Sequence, residues 1–247
     1  MQKLIYQLAN KFLMNEVELD LLKSSKTKNK VIFDVGCYRG YFTKSILSNE
    51  LKNNKNKYYL FDPNPNVKKY IKKMLLDKRI KYFEIALDNT NTIKKFTINK
   101  YFEPSGSSLK SAHRKDKLYN FSRKFFLQIF QPFSKIEDYE TIKVKTNTID
   151  KICKLNNIKK IDILKLDTDG NEFEVLNGAR KLLSEGKIEV IYTEISGFKK
   201  NFDYKFNKVV QLLKKYNFTL KKVYPIQSFS FLSNLKSTDN LFIKKDN

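Results

Sequence analysis

The sequence predicts an α/β fold with a largely parallel central sheet. Two observations carry this prediction. Short runs rich in Val, Ile, Phe and Tyr alternate with stretches whose apolar residues recur at helical spacing. Glycines and carboxylates gather just after the apolar runs, at the carboxyl ends of strands where an open parallel sheet binds its ligands. A third observation concerns the end of the chain. The last two strand-like runs have no helical stretch between them, so they should form an antiparallel pair at one edge.

Taken in order, residues 3–23 place Leu4, Ile5, Leu8, Phe12, Leu13, Val17 and Leu21 at helical spacing. Residues 1–30 therefore read as a leading amphipathic helix and a polar connection, ahead of a domain over 31–247. Residues 31–35 read as a buried strand, 41–51 as a helix, 58–61 as a strand and 67–76 as a helix. Residues 80–86 follow as a third strand, and 93–99 have β character with polar interruptions. The rhythm then breaks over about 100–140, with Pro104, Gly106, a basic and aromatic stretch (HRKDKLYNFSRKFFLQIF) and Pro132. A segment of this length framed by strands reads as an insertion or lid.

The pattern resumes with a strand at 141–146 and a helix at 147–155 that opens on Asn/Thr capping chemistry. Residues 161–166 form a strongly apolar strand, and 172–183 a helix that Gly186 stops in the left-handed conformation. A strand at 188–194 and a helix at 204–216 precede the closing strands at 218–224 and 240–244. The expected fold is a three-layer, Rossmann-like sheet of seven mostly parallel strands.

Composition bounds the function. Hydrophobic residues make up 41% of 247, enough for a sizeable core without staples. Neither Cys37 nor Cys153 sits in a CxxC or Cys/His cluster, and His113 is the single histidine, so no metal centre is expected. No apolar run approaches a bilayer span, and the N-terminus has acids where a signal peptide has an apolar core. The expectation is a soluble, cytoplasmic protein. The net charge is +23, yet only five of the 49 basic residues are arginine and the lysines are spread along the chain. That reads first as a compositional bias, because nucleic-acid binders favour clustered bases and arginine forks.

Five strand ends carry the chemistry. The first reads VIFDVGCYRGYF, with Asp34 closing the strand, Gly36 permitting a tight turn, Cys37 and Tyr38 in the loop, and Gly40 opening the helix. The dinucleotide pattern G-x-G-x-x-G is absent, since Tyr38 and Tyr41 stand where glycines are required. The second end, YLFDPNP, places Asp62 about 20 residues downstream of the glycine loop, where a carboxylate can accept from both ribose hydroxyls. Pro63 stiffens its turn. The third, EIALDN, offers Ala86 and Leu87 to pack on a purine face and Asp88 to accept from an exocyclic amine. Together these residues outline a nucleoside pocket.

The fourth end, LKLDTDGNEFEVLNGA, crowds Lys165, Asp167, Asp169 and Glu172 around Gly170. Alternation puts Lys165 and Asp167 on one strand face. N-terminal capping of the next helix accounts for Glu172, and also for Asp169 without a divalent ion between the carboxylates. The strand after it brings Glu194 to the same edge.

On the segments DVGCYRGYF (34–42), FDPNP (61–65), IALD (85–88), SSL (107–109), NTID (147–150) and LKLDTDGNEFEVLNGA (164–179), the chain resembles the FkbM-type family of S-adenosylmethionine-dependent methyltransferases. The resemblance implies a class I methyltransferase fold, S-adenosylmethionine as cofactor and O-methylation of a sugar, glycan or other hydroxylated metabolite. Against the family pattern, Cys37 and Tyr38 replace a small residue and Asn, and Asp62 and Asp169 replace Glu. Under this resemblance Asp167 or Glu194 serves as base or orients the acceptor. Lys165 steadies charge nearby, His113 is a further candidate base, and Ser107, Ser108 and Asp169 line the acceptor pocket. Two other readings stay open. The interleaved bases and aromatics of 113–126 suit a nucleic-acid methyltransferase, and a nucleoside pocket can also persist in a non-catalytic binding module.

Overall fold

The computed structural model describes residues 20–25, 29–49, 55–99, 107–109, 139–225 and 235–245. Residues 20–24 are helical, in line with the leading helix; the rest of that helix, and nearly all of the 100–140 insertion with His113, lie outside the described residues. Among the described residues no helix is long and apolar enough to cross a membrane.

The strands are β1 (Val31–Val35), β2 (Lys57–Phe61), β3 (Ile80–Phe83), β4 (Ala86–Leu87), β5 (Ile93–Asn99), β6 (Tyr139–Asn147), β7 (Ile161–Leu166), β8 (Ile188–Phe198), β9 (Phe218–Pro225) and β10 (Leu235–Lys244). Between them run α1 (Tyr41–Ser48), α2 (Val67–Ile71), α3 (Ile149–Leu155), α4 (Glu172–Asn177), α5 (Arg180–Ser184) and α6 (Lys199–Lys215). The main sheet has the order β3-β2-β1-β7-β8-β10-β9. Strands β3, β2, β1, β7 and β8 are parallel, and β10 runs antiparallel to both β8 and β9. The sequence-based expectation of a mostly parallel seven-stranded sheet with an antiparallel C-terminal pair is met. Strand order reverses between β1 and β7, which makes that junction the topological switch point.

Both sheet faces are covered, so the inner strands read as continuous apolar runs rather than alternating ones. Phe33, Val35, Tyr59, Phe61, Leu164 and Leu166 pack with residues of α3 to α6, such as Ile152, Val175, Leu182 and Val209. Their neighbours Ile32, Tyr58, Leu60 and Ile163 face the other way, with Phe42, Ile46, Val67 and Ile71 of α1 and α2. Thr148 caps α3 by accepting from the Lys151 N–H at 3.1 Å, and Gly186 adopts φ 65 past α5, as their sequence positions imply.

Two expected elements divide. The strand expected over 80–86 ends its main-sheet pairing at Phe83. Ala86 and Leu87 leave to pair with Thr146 and Asn147 in a second sheet of order β4-β6-β5. The helix expected over 172–183 breaks into α4 and α5 at Gly178 and Ala179. A Cβ at Gly178 would overlap the Asp88 carbonyl oxygen, so the chain can pass there only as glycine. The second half restarts on Asp150, whose carboxylate accepts from the N–H groups of Lys181 and Leu182 at 2.9 and 3.1 Å.

Because Gly178 has an ordinary helical φ of −76, its replacement acts through the clash alone. Gly178→Ala is expected to cost about 1–3 kcal/mol, read as a lower midpoint in denaturant unfolding.

Candidate active site

The carboxyl rim begins with the β1–α1 loop. Gly36, Tyr38 and Gly40 all have positive φ, of 73, 51 and 70. The N–H groups of Gly36 and Cys37 both donate to the Phe61 carbonyl, at 2.9 and 3.1 Å, which curls the loop over the end of β2. Gly36 is glycine for a second reason: a Cβ there would overlap the Asp167 carbonyl oxygen. Tyr38 occupies a region costly for a residue with a Cβ, and its N–H donates to Asp62 Oδ2 at 3.1 Å.

Asp62 is nearly enclosed at the end of β2. Its other oxygen accepts from the Asn64 N–H at 3.0 Å. Burial pushes its pKa up to about 6, against the two N–H bonds and Lys165, which pull it down. Each carboxylate oxygen keeps acceptor capacity after these bonds. Beside it, the fully buried Asn64 Nδ2 has no hydrogen-bond partner among the described residues. The rim therefore presents an acceptor and an unused donor side by side. Sequence reasoning found the acceptor from the D-P turn and missed the donor, since Asn between two prolines reads as a turn former.

At the switch point Asp34 and Lys165 are directly paired across β1 and β7. Lys165 Nζ lies 3.1 Å from Asp34 Oδ1 and 3.5 Å from Asp167 Oδ2, and donates to the Gly36 carbonyl at 2.8 Å. Thr43 Oγ1 donates to Asp34 Oδ2 at 2.7 Å. Burial works against the charged ammonium, but Asp34 and Asp167 overcome it and raise the Lys165 pKa.

Three carboxylates then stand on adjacent strands. Asp167 is one residue past the last β7 position paired to β8, Glu194 lies just past the β8 residue paired there, and Asp239 on β10 is the register partner of Glu194. Directly opposed residues share a sheet face. Ser237 Oγ donates to Glu194 Oε1 at 2.5 Å, and the Tyr192 hydroxyl bonds Asp239. Burial, then Asp167 and Asp239, push Glu194 well up; burial chiefly raises Asp239 to about 6. Asp169, at φ 52 in the loop after β7, rises to about 8 through burial and the nearby charges of Asp167, Glu172 and Asp62. Asp239 was invisible to sequence reasoning because nothing local marks it.

Other expected residues take different places. The Asp34 carboxylate is committed to Thr43 and Lys165, and the Cys37 thiol lies in the core beneath α1. Ala86 belongs to the core of the small sheet and Leu87 to the main core, and both are buried. The Asp88 carboxylate is fully buried, ion-paired to Lys94 and 3.4 Å from Asn171 Nδ2. These three side chains tie the second sheet to the first. Pro63 is half-buried beside Asp62. Ser108 is buried and donates to the Thr168 and Asp169 carbonyls at 3.0 and 3.1 Å, anchoring the foot of the insertion on the rim, with Ser107 half-buried beside it. Glu172 Oε1 accepts from Thr168 N, Thr168 Oγ1 and Gly170 N, so these bonds hold the loop before α4 rather than capping the helix's own first-turn N–H groups.

A model of the methyltransferase FkbM domain matches residues 34–220. No curated protein matches the sequence. Among solved structures, magnesium protoporphyrin IX methyltransferase from Synechocystis, with bound SAM, is 9% identical over 97% of this chain and 82% of that one, with a TM-score of 0.51. That likeness is one of fold. The methyltransferase FkbM from Methylobacillus flagellatus is 13% identical over 87% of this chain, with a TM-score of 0.48. The chain spans only 44% of that protein's length. The N-methyltransferase NodS from Bradyrhizobium japonicum is 10% identical over 94% and 96%, with a TM-score of 0.46.

Removing the Lys165 ammonium would leave Asp34 charged and buried beneath the glycine loop. Lys165→Met is expected to cost about 3–5 kcal/mol, measured by denaturant unfolding. Doubling it with Asp34→Asn should recover part of that loss.

Proposed function

We propose that this chain, which belongs to the methyltransferase FkbM domain family, transfers a methyl group from S-adenosylmethionine to a hydroxyl of a sugar, glycan or small metabolite. The observation that carries the reading is the division of the rim at the switch point. An enclosed carboxylate with spare acceptor capacity and an amide nitrogen without a partner among the described residues stand on the β2 side, and a row of carboxylates stands on the β7, β8 and β10 side.

S-adenosylmethionine, when bound, supplies a methyl group on a positively charged sulfur. The residues present fit that cofactor: Asp62 can accept from its ribose hydroxyls and the Asn64 amide can donate beside them. The β1–α1 loop would lie along it, with Gly36 and Gly40 keeping side chains out of the way. Lys165 holds Asp34 and Asp167 in register, so the two sides of the rim keep a fixed spacing. That rigidity suits a reaction governed by positioning, which can supply up to ~7–11 kcal/mol.

On the acceptor side, carboxylates accept hydrogen bonds from hydroxyls and orient them. Asp167, whose side chain is 42% exposed, and Glu194 are the candidates to take up the hydroxyl proton. Asp239, opposite Glu194, keeps negative charge on its far side and so favours proton uptake there. The acid row favours a hydroxylated acceptor over a nucleic acid, whose phosphates would be repelled at this rim.

Calorimetry with S-adenosylmethionine tests the cofactor assignment. Asp62→Ala should weaken binding about 10–100-fold, the loss of hydrogen bonds to a charged acceptor; unchanged affinity would remove Asp62. The ionised form is the acceptor, so wild-type affinity should fall as pH drops through about 6. The stability contribution has the opposite sign. A carboxyl raised above its usual 3.8 favours the fold when protonated, and this is lost as pH rises from 3.8 through about 6.

Asp167→Asn tests the acceptor side. It should keep cofactor affinity within a few-fold and lower turnover about 10²–10⁴-fold with an accepted substrate. Retained binding together with retained turnover would take Asp167 out of the reaction.

A further inference from the structure

In this fold every parallel strand of the main sheet starts at the rim opposite the active site. The turns that end α2 and α3 lie there too, because those helices run back from the carboxyl rim. Two large apolar side chains are turned to solvent in these turns. Leu76 is 83% exposed just before β3, and Leu155 is 64% exposed at the end of α3. Strands β3 and β7, which these turns enter, are three strand spacings apart, ~14 Å along the sheet.

The charge at this rim is sorted. Its acids among the described residues are already paired: Asp77 with Arg79 at 2.7 Å, Asp162 and Glu189 with Lys160 at 2.9 and 2.8 Å, and Glu185 with Lys187 at 2.6 Å. Lys57, Lys78, Lys154 and Lys159 are exposed there and make no ion pair with a described residue. Lys57 and Lys159 line one open depression of about 340 Å³ together with Asn156 and Asn157. The opposite rim carries Asp62, Asp167, Asp169, Glu194 and Asp239. Among the described residues, lysines without an ion pair thus stand where the strands start, and a row of carboxylates stands where they end.

We propose that the amino rim of the sheet docks on an anionic lipid bilayer, with Leu76 and Leu155 entering the headgroup boundary and the surrounding lysines facing lipid phosphates. Unpaired lysines alone would suit any polyanion. The leucines select the bilayer, because an apolar side chain gains nothing against a phosphate backbone, whereas a basic patch needs a second, apolar signal to hold a membrane. Docked this way, the acidic rim faces the water, and acceptor and cofactor enter from the aqueous side.

Sedimentation with vesicles tests the proposal on the full chain. It should pellet with equal parts phosphatidylcholine and phosphatidylglycerol, less so as salt rises, and stay in solution with phosphatidylcholine alone. Lys57→Gln, Lys78→Gln and Lys159→Gln together should weaken binding about a hundredfold, ~fivefold per lysine. Leu76→Ser with Leu155→Ser leaves the charge unchanged and should weaken it ~tenfold. All these positions are exposed, so both variants should melt as wild type does. Failure to pellet with the anionic vesicles overturns the proposal. So does a leucine variant that binds like wild type while the lysine variant does not, since that pattern marks a purely electrostatic surface of the kind RNA uses.

Discussion

The geometry of the rim depends on one buried ammonium. Lys165 joins the two strands between which the sheet reverses its order, and it touches three oxygens: Asp34, Asp167 and the Gly36 carbonyl. Two charges out of water are stable only when each finds partners. Here the ammonium has three and Asp34 also receives Thr43. The glycine loop, the start of α1 and the end of β7 are thus tied at one point. The position of Asp62 follows, because the loop that Lys165 anchors is the loop whose Tyr38 N–H holds that carboxylate.

Charge is separated in a second way, along the strands. The carboxyl rim gathers carboxylates whose burial and mutual repulsion favour their neutral forms. The other end gathers unpaired lysines.

Much of the fold was legible because its signals are local. Buried parallel strands read as apolar runs, Thr148 sits where a cap is needed, and Gly186 where a helix must stop. The misses share one cause. Residues 80–86 read as one strand because both halves are apolar, although one half is buried in the main sheet and the other in the small one. Residues 172–183 read as one helix because the apolar period runs through Gly178, and only the approach of the Asp88 backbone breaks it.

The site divides along the same line. By itself the sequence determined the parallel α/β class, the glycine loop after the first strand, the acid after the second and the Lys-x-Asp end of the fourth, since each is a short motif whose geometry is set by its own turn. Only the tertiary structure decided that Asp34 serves Lys165, that Asn64 keeps a free donor beside Asp62, and that Asp239 stands opposite Glu194. Those outcomes depend on strand pairing between distant segments, and pairing is set by how whole faces pack, which no local pattern records.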